Sequence, residues 1–393
     1  MEIRKTFKTQ VYVHDFTNQY CNRCFGVRRA TYNWILSRFL EEKKKTGKMP
    51  DIYDLDGEYR RFRKSKNDSN FEWIADQLVS PKIMAETLKN VKSAFAVCKT
   101  FKKKSKKKNI VPFYKKKKDR LKTFSIAIGK NSDGRIENNY LFSFPTTDPK
   151  HRAELHTKES LNFLLNENIK LCRFTVSKKA GKLYLAIQYK ILNYNEKQKS
   201  PENTKIGIDL GIVISAVTYD NNGTFKKYSF NTKKSLRLDR LSKKNDSALS
   251  KKQKYSHNYE KLLLLKEKRS RRAALHRKEL VEMFSTWLVK NYSEIIIDDF
   301  NFKQTIGRCK TGNEKAYKSM VFTLKKRIIE KAKYYGTTVR FVEHLKGIKT
   351  THKCSQCGST DVLIDKQTRI LKCKHCGLII DRDYNAAINT FNL

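Results

Sequence analysis

Four cysteines near the end of the chain form two Cys-x-x-Cys pairs. The pairs are Cys354 with Cys357 and Cys373 with Cys376, with 15 residues between them, and a glycine follows each pair in CSQCGS and CKHCGL. Four thiolates on two such turns complete a tetrahedral zinc site and leave no open position. We therefore predict one structural Zn²⁺ ion bound by these four cysteines.

Three aspartates form the second group of residues whose side chains could bind a metal or take part in catalysis. Asp209 lies within the apolar run KIGIDLGIVISAVTYD, Asp298 ends the run EIIID, and Asp383 opens the helical segment DRDYNAAIN. Aspartate is disfavoured in strands, so its presence in one needs a reason. Carboxylates bind Mg²⁺ well, and two Mg²⁺ ions held close together can act on both sides of a phosphodiester bond. Two strands and a later helix that carry acids predict a metal-dependent nuclease with an RNase H-like fold.

Simpler interpretations exist for each of these residues taken singly. Asp209 could cap a turn at a strand end, and Asp299 or Asp381 could be mistaken for its neighbouring aspartate. Cys21 and Cys24 form another Cys-x-x-Cys pair with no further ligand nearby in the sequence, so we interpret them as packing residues.

Hydrophobic periodicity predicts the elements that hold these residues. Gly207 and Gly211 flank Asp209 and leave room for another element to approach the strand backbone. The predicted elements of the first half of the chain are a strand over 1–13, helices over 15–45 and 71–101, and short strands over 124–194 that form an antiparallel sheet or small barrel. The strand of Asp209 follows, and then a long basic helical region over 235–291 with an expected break or loop in its first half. The last predicted elements are a strand over 294–300, a helix over 317–335, a strand over 337–345 and a helix from Asp383.

Charge identifies the class of partner. The 393 residues include 85 Lys+Arg and 39 Asp+Glu, a formal net charge of +46. A polyanion would neutralise such an excess, so we expect nucleic acid as the partner. The lysines that we predict to contact it lie beside aromatic residues or at the start of a helical segment: Lys115, Lys116, Lys251, Lys252 and Lys254.

The sequence offers no membrane anchor or export signal. Its first ten residues, MEIRKTFKTQ, contain no apolar signal region, and no apolar run of about 18 residues occurs. Cysteines at metal-ligand spacing suit a reducing compartment. We expect a cytoplasmic, nucleoid-associated protein, monomeric and without a membrane partner.

Five motifs occur in the same order as in the transposon-encoded TnpB proteins, which the chain resembles. They are GIDLG (207–211), IIIDDFN (295–301), CSQCG (354–358), CKHCG (373–377) and DRDYNAAIN (381–389). Weaker matches at 32–34, 101–120 and 251–261 extend the resemblance over nearly the whole chain. TnpB proteins are in turn similar to the small type V CRISPR nucleases.

The resemblance implies an α+β multidomain fold. A wedge domain, an oligonucleotide-binding-type β-barrel, would comprise 1–13 and 110–200, with a helical recognition domain over 14–109. A RuvC-like nuclease domain would comprise 201–349 and 378–393, with a zinc ribbon inserted at 350–377.

The resemblance also implies an RNA-guided, Mg²⁺-dependent DNA endonuclease. Asp209, Asp298 and Asp383 would bind two catalytic Mg²⁺ ions. The guide RNA would come from the protein's own element, and the target would be double-stranded DNA beside a short recognised motif.

One departure from the family pattern keeps alternatives open. The family usually has glutamate where this chain has Asp298. The shorter acid reaches about one methylene less far, and a misplacement of that size can cost on the order of a hundredfold in rate. One alternative is a cleavage-deficient, TnpB-like, RNA-guided DNA-binding repressor. The other is a zinc-ribbon RNA-binding protein with a decayed nuclease fold.

Overall fold

The computed structural model describes two compact units, Met1–Tyr194 and Asn195–Leu393. The residues that it describes are 3–47, 54–55, 57–59, 61, 79–104, 111–116, 122–130, 133–148, 150–192, 201–298, 314, 317–342, 350–365 and 367–393. Both units combine helices with sheets, as the predicted α+β class requires.

Seven antiparallel strands form the sheet of the first unit. The N-terminal strand pairs with two later strands of this sheet, which confirms that it completes the sheet. A two-residue turn at Ala180 and Gly181, both with positive φ, joins the last two strands and suits their twist. The strands are β1 (Ile3–Tyr12), β2 (Lys122–Ala127), β3 (Arg135–Asn138), β4 (Leu141–Pro145), β5 (Arg152–Thr157), β6 (Ile169–Lys179) and β7 (Lys182–Ile191), in the order β2-β6-β7-β1-β5-β4-β3.

Two long helices, α1 (Asp15–Thr46) and α2 (Pro81–Lys104), belong to the same unit. Cys21 and Cys24 of α1 are fully buried in the hydrophobic core of the first unit. Burial raises the pKa of the Cys21 thiol to about 12. Both are therefore packing residues, as predicted. Residues 71–78, the first part of the helix predicted over 71–101, lie outside the described residues.

The helices and the sheet of the first unit share a hydrophobic core. Phe25 of α1 lies 5.4 Å, centroid to centroid, from Phe124 of β2, and one buried cluster contains residues of both elements. The division of this unit into a helical recognition domain and a wedge barrel stays a prediction.

A five-stranded mixed sheet forms the centre of the second unit. The three strands at one side of this sheet are antiparallel to one another. The strand that ends at Asp298, β11 (Glu294–Asp298), runs parallel to both of its neighbours. The run expected to form one strand over 205–220 is divided at a tight turn, where a Cβ on Gly211 would lie 2.5 Å from the carbonyl oxygen of Ile214. The strands are β8 (Lys205–Leu210), β9 (Ala216–Asp220), β10 (Phe225–Tyr228), β11 (Glu294–Asp298) and β12 (Thr338–Val342), in the order β10-β9-β8-β11-β12.

Helices and a small sheet complete the described part of the second unit. The long basic region is two helices separated at 251–256, which agrees with the expected break. The helices are α3 (Lys233–Ser250), α4 (His257–Asn291), α5 (Val321–Tyr335) and α6 (Arg382–Phe391); the small sheet, here called the ribbon sheet, contains β13 (Val362–Ile364), β14 (Ile370–Cys373) and β15 (Ile379–Asp381). Within the described ranges, no helix is long and apolar enough to cross a membrane.

Helix α6 lies directly against the backbone of β8. A Cβ built on Gly207 would lie 2.7 Å from the carbonyl oxygen of Ala387 and 2.6 Å from the backbone nitrogen of Phe391. Real Cβ atoms do not approach backbone this closely. The glycine before Asp209 is therefore required by the helix that carries Asp383.

We predict that Gly207→Ala lowers the free energy of unfolding of the second unit by about 1–3 kcal/mol, because α6 must move away from β8. Chemical denaturation measures the change. Gly129→Ala is the matched control, since its Cβ would meet only an ordinary contact at 3.6 Å from Asp133 Oδ2. Equal stability of the two variants would contradict the prediction.

Candidate functional site

The four predicted zinc ligands converge. The Sγ atoms of Cys354, Cys357, Cys373 and Cys376 all lie within 4.8 Å of one another, with two pairs at 3.6 Å. Tetrahedral zinc with Zn–S bonds of about 2.3 Å needs sulfurs about 3.8 Å apart. The donor set and its spacing therefore fit one structural Zn²⁺ ion.

Both cysteine pairs lie on turns of the same shape. In each turn, the N–H of the glycine that follows donates to the carbonyl of the first cysteine, at 3.0 Å for Gly358 and 3.1 Å for Gly377. Both glycines have φ near +75°. A side chain would strain the backbone there, which explains the glycine in each motif.

Strand pairing brings two of the three aspartates side by side. Strands β8 and β11 are parallel neighbours with Ile208 opposite Ile297. The next step in that register sets Asp209 opposite Asp298, and neighbouring strands lie about 4.8 Å apart. Asp298 is buried, and Asp209 is partly exposed.

Asp383 reaches the same region from α6. Asp381 caps this helix, and its Oδ1 accepts the N–H of Asp383 at 2.8 Å. Asp381 also forms an ion pair with Lys227 at 2.8 Å. Asp381 therefore has a structural role distinct from that of its neighbour Asp383, whereas Asp299 lies outside the described residues.

The three aspartates interact electrostatically. Burial, followed by the charges of Asp383 and Asp298, raises the pKa of Asp209 to about 7, against an opposing effect of Arg382 and Arg369. The carboxylates thus repel one another across a partly desolvated site. A divalent cation would relieve that repulsion, and carboxylate oxygens are the ligands that Mg²⁺ prefers in proteins.

Hydroxyl and guanidinium groups contact these carboxylates. Thr350 donates its hydroxyl proton to Asp298 Oδ2. Arg369 donates from Nη2 to both oxygens of Asp383, at 2.5 and 2.6 Å, and from Nε to Oδ2 at 3.1 Å. Among the residues that the structure describes, only the four cysteines bring three or more ligand atoms within 4.8 Å of one another. The three aspartates are neighbours, but they do not form so tight a group.

Two buried asparagines connect α6 to the turn of Cys354 and Cys357, here called the first zinc turn; the turn of Cys373 and Cys376 is the second. Asn385 accepts the N–H of Ser355 and donates to the carbonyl of Lys353, both at 2.8 Å. Asn389 donates to the carbonyls of Thr350 and Lys353, both at 2.7 Å. The helix of Asp383 is therefore hydrogen-bonded to the segment that carries the zinc ligands.

Sequence reasoning missed Thr350, Arg369, Asn385 and Asn389. The two asparagines stand four residues apart in DRDYNAAIN, so they share one face of the helix. That spacing was the available signal for them. Thr350 and Arg369 are isolated polar residues with no local pattern to distinguish them.

The predicted nucleic-acid contacts lie on exposed segments. The backbone N–H and C=O of Lys115 are held by the side-chain amide of Asn33, at 2.7 and 2.9 Å, beside the highly exposed Phe113. In the second unit, the segment 251–254 between α3 and α4, which contains three of the predicted lysines, is exposed. The roles of all these lysines stay predictions.

Comparisons with known proteins place two parts of the chain in described families. A model described as "Cas12f1-like, TNB domain" matches residues 322–390, and one described as "Probable transposase" (OrfB_IS605) matches residues 186–307. The TnpB-like proteins L79 and R854 of Acanthamoeba polyphaga mimivirus are each 30% identical over 198 residues. That match covers 48% of this chain but only 37% and 36% of the two relatives, little more than a third of their length.

The fold also matches a solved structure. A protein chain in the cryo-EM structure of the Cas12f1–sgRNA–target DNA complex superposes with a TM-score of 0.59 and 14% sequence identity, over 100% of this chain and 99% of that one. At this identity, the match shows a shared fold. Together with the family models and the mimivirus relatives, it supports a TnpB-family protein related to the miniature type V effectors.

Proposed function

We propose that the chain is an RNA-guided DNA endonuclease whose catalytic carboxylates are Asp209, Asp298 and Asp383. The observation that carries the proposal is their placement, because the parallel register of β8 and β11 brings Asp209 beside Asp298 and the helix that carries Asp383 lies against β8. The charge of +46 and the shared fold with a protein that was solved with guide RNA and target DNA support nucleic-acid partners.

Each residue of the site has a specific role in this proposal. Asp209 and Asp298 offer carboxylates from adjacent strand ends, and Asp383 offers a third from a helix held against β8. Bound Mg²⁺ would supply an activated water and stabilise the leaving 3′ oxygen. The chain supplies the rigid strand ends and the helix contact that keep the acids together without a cation.

The zinc turns support the site from outside. Asn385 and Asn389 bond α6 to the first zinc turn, so order in that turn limits the movement of α6. The proposed structural zinc thus holds Asp383 in position and takes no part in chemistry.

Two contacts favour a second candidate function. Arg369 is paired with both oxygens of Asp383, and Thr350 hydrogen-bonds to Asp298, an acid already shorter than the glutamate usual in the family. If these contacts persist in the guided complex, metal binding is weakened. The chain would then act as an RNA-guided DNA-binding repressor without cleavage.

The prediction for zinc concerns Cys373→Ser. Loss of one thiolate should remove about one zinc ion per chain and lower the stability of the second unit, because structural zinc contributes folding free energy. Metal analysis and thermal unfolding measure the two effects. Cys172→Ser changes a cysteine of β6 that is not one of the four ligands, so it is the control and should keep its zinc. Well-folded parent protein without zinc would contradict the prediction.

The pKa of Asp209 predicts a pH-dependent stability. Its ordinary value of 3.8 applies to the unfolded chain, and about 7 to the folded one. Over this range the folded chain holds a proton that unfolding releases, so stability falls as the pH rises from about 4 to 7.

Asp209→Asn removes that titration. Without added Mg²⁺, the variant should be more stable than the parent, and its advantage should grow by on the order of 1–3 kcal/mol between pH 5 and pH 8. Thermal unfolding at the two pH values measures this growth. A constant difference between the two proteins would show that the repulsion is absent.

Cleavage provides the direct test of the function. RNA that copurifies with the protein is recovered and sequenced, and a matched duplex is incubated with and without Mg²⁺. Asp209→Ala should abolish cleavage and keep guided binding, since removal of a negative charge does not weaken phosphate contacts. Asp361→Ala, an exposed acid of the same unit, is the control and should keep cleaving.

Asp298→Glu tests the shorter acid. Asp298 is buried and accepts a hydrogen bond from Thr350, so we expect a longer side chain to displace the carboxylate and lower the rate on the order of a hundredfold. A faster variant would mean that the short acid limits the parent enzyme. If the parent and both variants bind a matched target tightly but none cleaves it, the repressor takes the place of the nuclease.

A further inference from the structure

The helical hairpin of α3 and α4 carries many basic side chains, and several of those between its helices are paired. Lys266 pairs with Asp246, and Arg277 pairs with Asp239. Arg269 donates to Asn245 at 3.0 Å. These cations stabilise the contact between the two helices, and each already has a partner side chain within the hairpin.

The tip of the hairpin, residues 251–256, differs. Lys251, Lys252 and Lys254 are exposed, and within the described ranges no carboxylate forms an ion pair with them. The sequence from position 247 to 259 contains no acidic residue. Three cationic side chains in one turn therefore remain available to an external anion.

An exposed aromatic ring lies among these lysines. Tyr255 is 61% exposed, and its backbone has φ +71°, in the left-handed region that favours glycine. Its ring centroid is 6.5 Å from that of Tyr259, in the first turn of α4. Glycine would adopt this backbone without strain. A tyrosine at this position adds conformational cost and presents a large ring to solvent.

We propose that the hairpin tip is a binding subsite for single-stranded nucleic acid. The ring of Tyr255 stacks on an unpaired base, and Lys251, Lys252 and Lys254 contact the flanking phosphates. Rings and ammonium groups in one turn match the alternation of base and phosphate along a single strand. The inference relies on the proposed function for the presence of nucleic-acid partners, but on none of its catalytic residues. The single strand is either RNA or an unpaired strand of DNA.

Photo-crosslinking identifies the stacked residue directly. The full chain is irradiated with a short oligouridine that contains 5-iodouridine, and in a second arm with its deoxy counterpart, and the crosslinked peptides are sequenced. We expect a crosslink to Tyr255, and the stronger arm identifies RNA or DNA as the ligand. Crosslinks confined to other aromatic residues would overturn the proposal.

The affinities of variants for oligouridine and for an abasic strand distinguish the contribution of base stacking from that of charge. Tyr255→Gly should weaken binding of the oligouridine about fivefold or more, since one stacked base is lost, and Tyr255→Phe should retain it. An abasic strand of the same length should bind Tyr255→Gly and the parent equally. Replacement of the three lysines by glutamine should weaken the binding of both strands.

Two measurements exclude a merely structural role for the ring. Tyr255→Gly relieves the backbone strain, so its Tm should equal or exceed that of the parent. Tyr317→Ala is the matched control, because Tyr317 is 74% exposed but its neighbour Lys318 is paired with Asp239 and Glu314. This variant should bind as the parent does. Unchanged affinity of Tyr255→Gly for the oligouridine would overturn the proposal.

The proposal and the nuclease function can fail separately. A crosslink at Tyr255 in a protein that never cleaves a matched target would retain the subsite and reject the nuclease. Cleavage by Tyr255→Gly, with oligouridine affinity equal to that of the parent, would reject the subsite and retain the nuclease.

Discussion

The contact between α6 and β8 is the constraint on which the site depends. The helix backbone comes so close to Gly207 that no side chain could stand there. This contact brings Asp383 towards Asp209, while the parallel register of β8 and β11 brings Asp298 from the other side. Burial and, after it, the charges of Asp383 and Asp298 raise the pKa of Asp209, so the site disfavours three ionised acids. The buried strands and the helix contact must therefore supply the free energy that holds them together.

The zinc turns are coupled to this site through hydrogen bonds. Thr350 contacts Asp298 with its hydroxyl group and accepts from Asn389 with its carbonyl oxygen. Arg369, at the turn that precedes β14, has φ +61° and directs its guanidinium to Asp383. The segment that carries the zinc ligands thus contacts two of the three acids. A change in its order would alter both the position and the charge environment of the proposed metal ligands.

The excess of basic residues does not act as one uniform charge. In the α3–α4 hairpin, Arg277 is buried and satisfied by Asp239 and Asn231, so it stabilises the fold. Lysines at the tip of the same hairpin have no such acidic partner among the described residues. Only cations without an acidic partner, such as the tip lysines, can release counterions when a polyanion binds. These cations determine the salt dependence of binding. The net charge therefore overstates the number of available nucleic-acid contacts.

Local patterns in the sequence were sufficient for much of this architecture. The cysteine spacing predicted the thiol cluster, because each pair and its glycine form a self-contained turn. The β-branched runs around Asp209 and Asp298 predicted buried strands, and the apolar periodicity of the first helix predicted α1. The buried cysteine pair in α1 could be assigned to packing because no further ligand stood near it.

Tertiary structure alone decided which residues surround the acids. Thr350 and Arg369 reach Asp298 and Asp383 across 52 and 14 residues, and no periodicity of the chain encodes such a contact. The end of β8 at Leu210 and the pairing of basic residues within the α3–α4 hairpin likewise depend on neighbours that are distant in sequence. The sequence by itself determined which residues could bind metal, because ligand chemistry and turn geometry are local. The tertiary structure decided their register, their mutual repulsion and their polar partners, because these properties arise only when separate segments pack together.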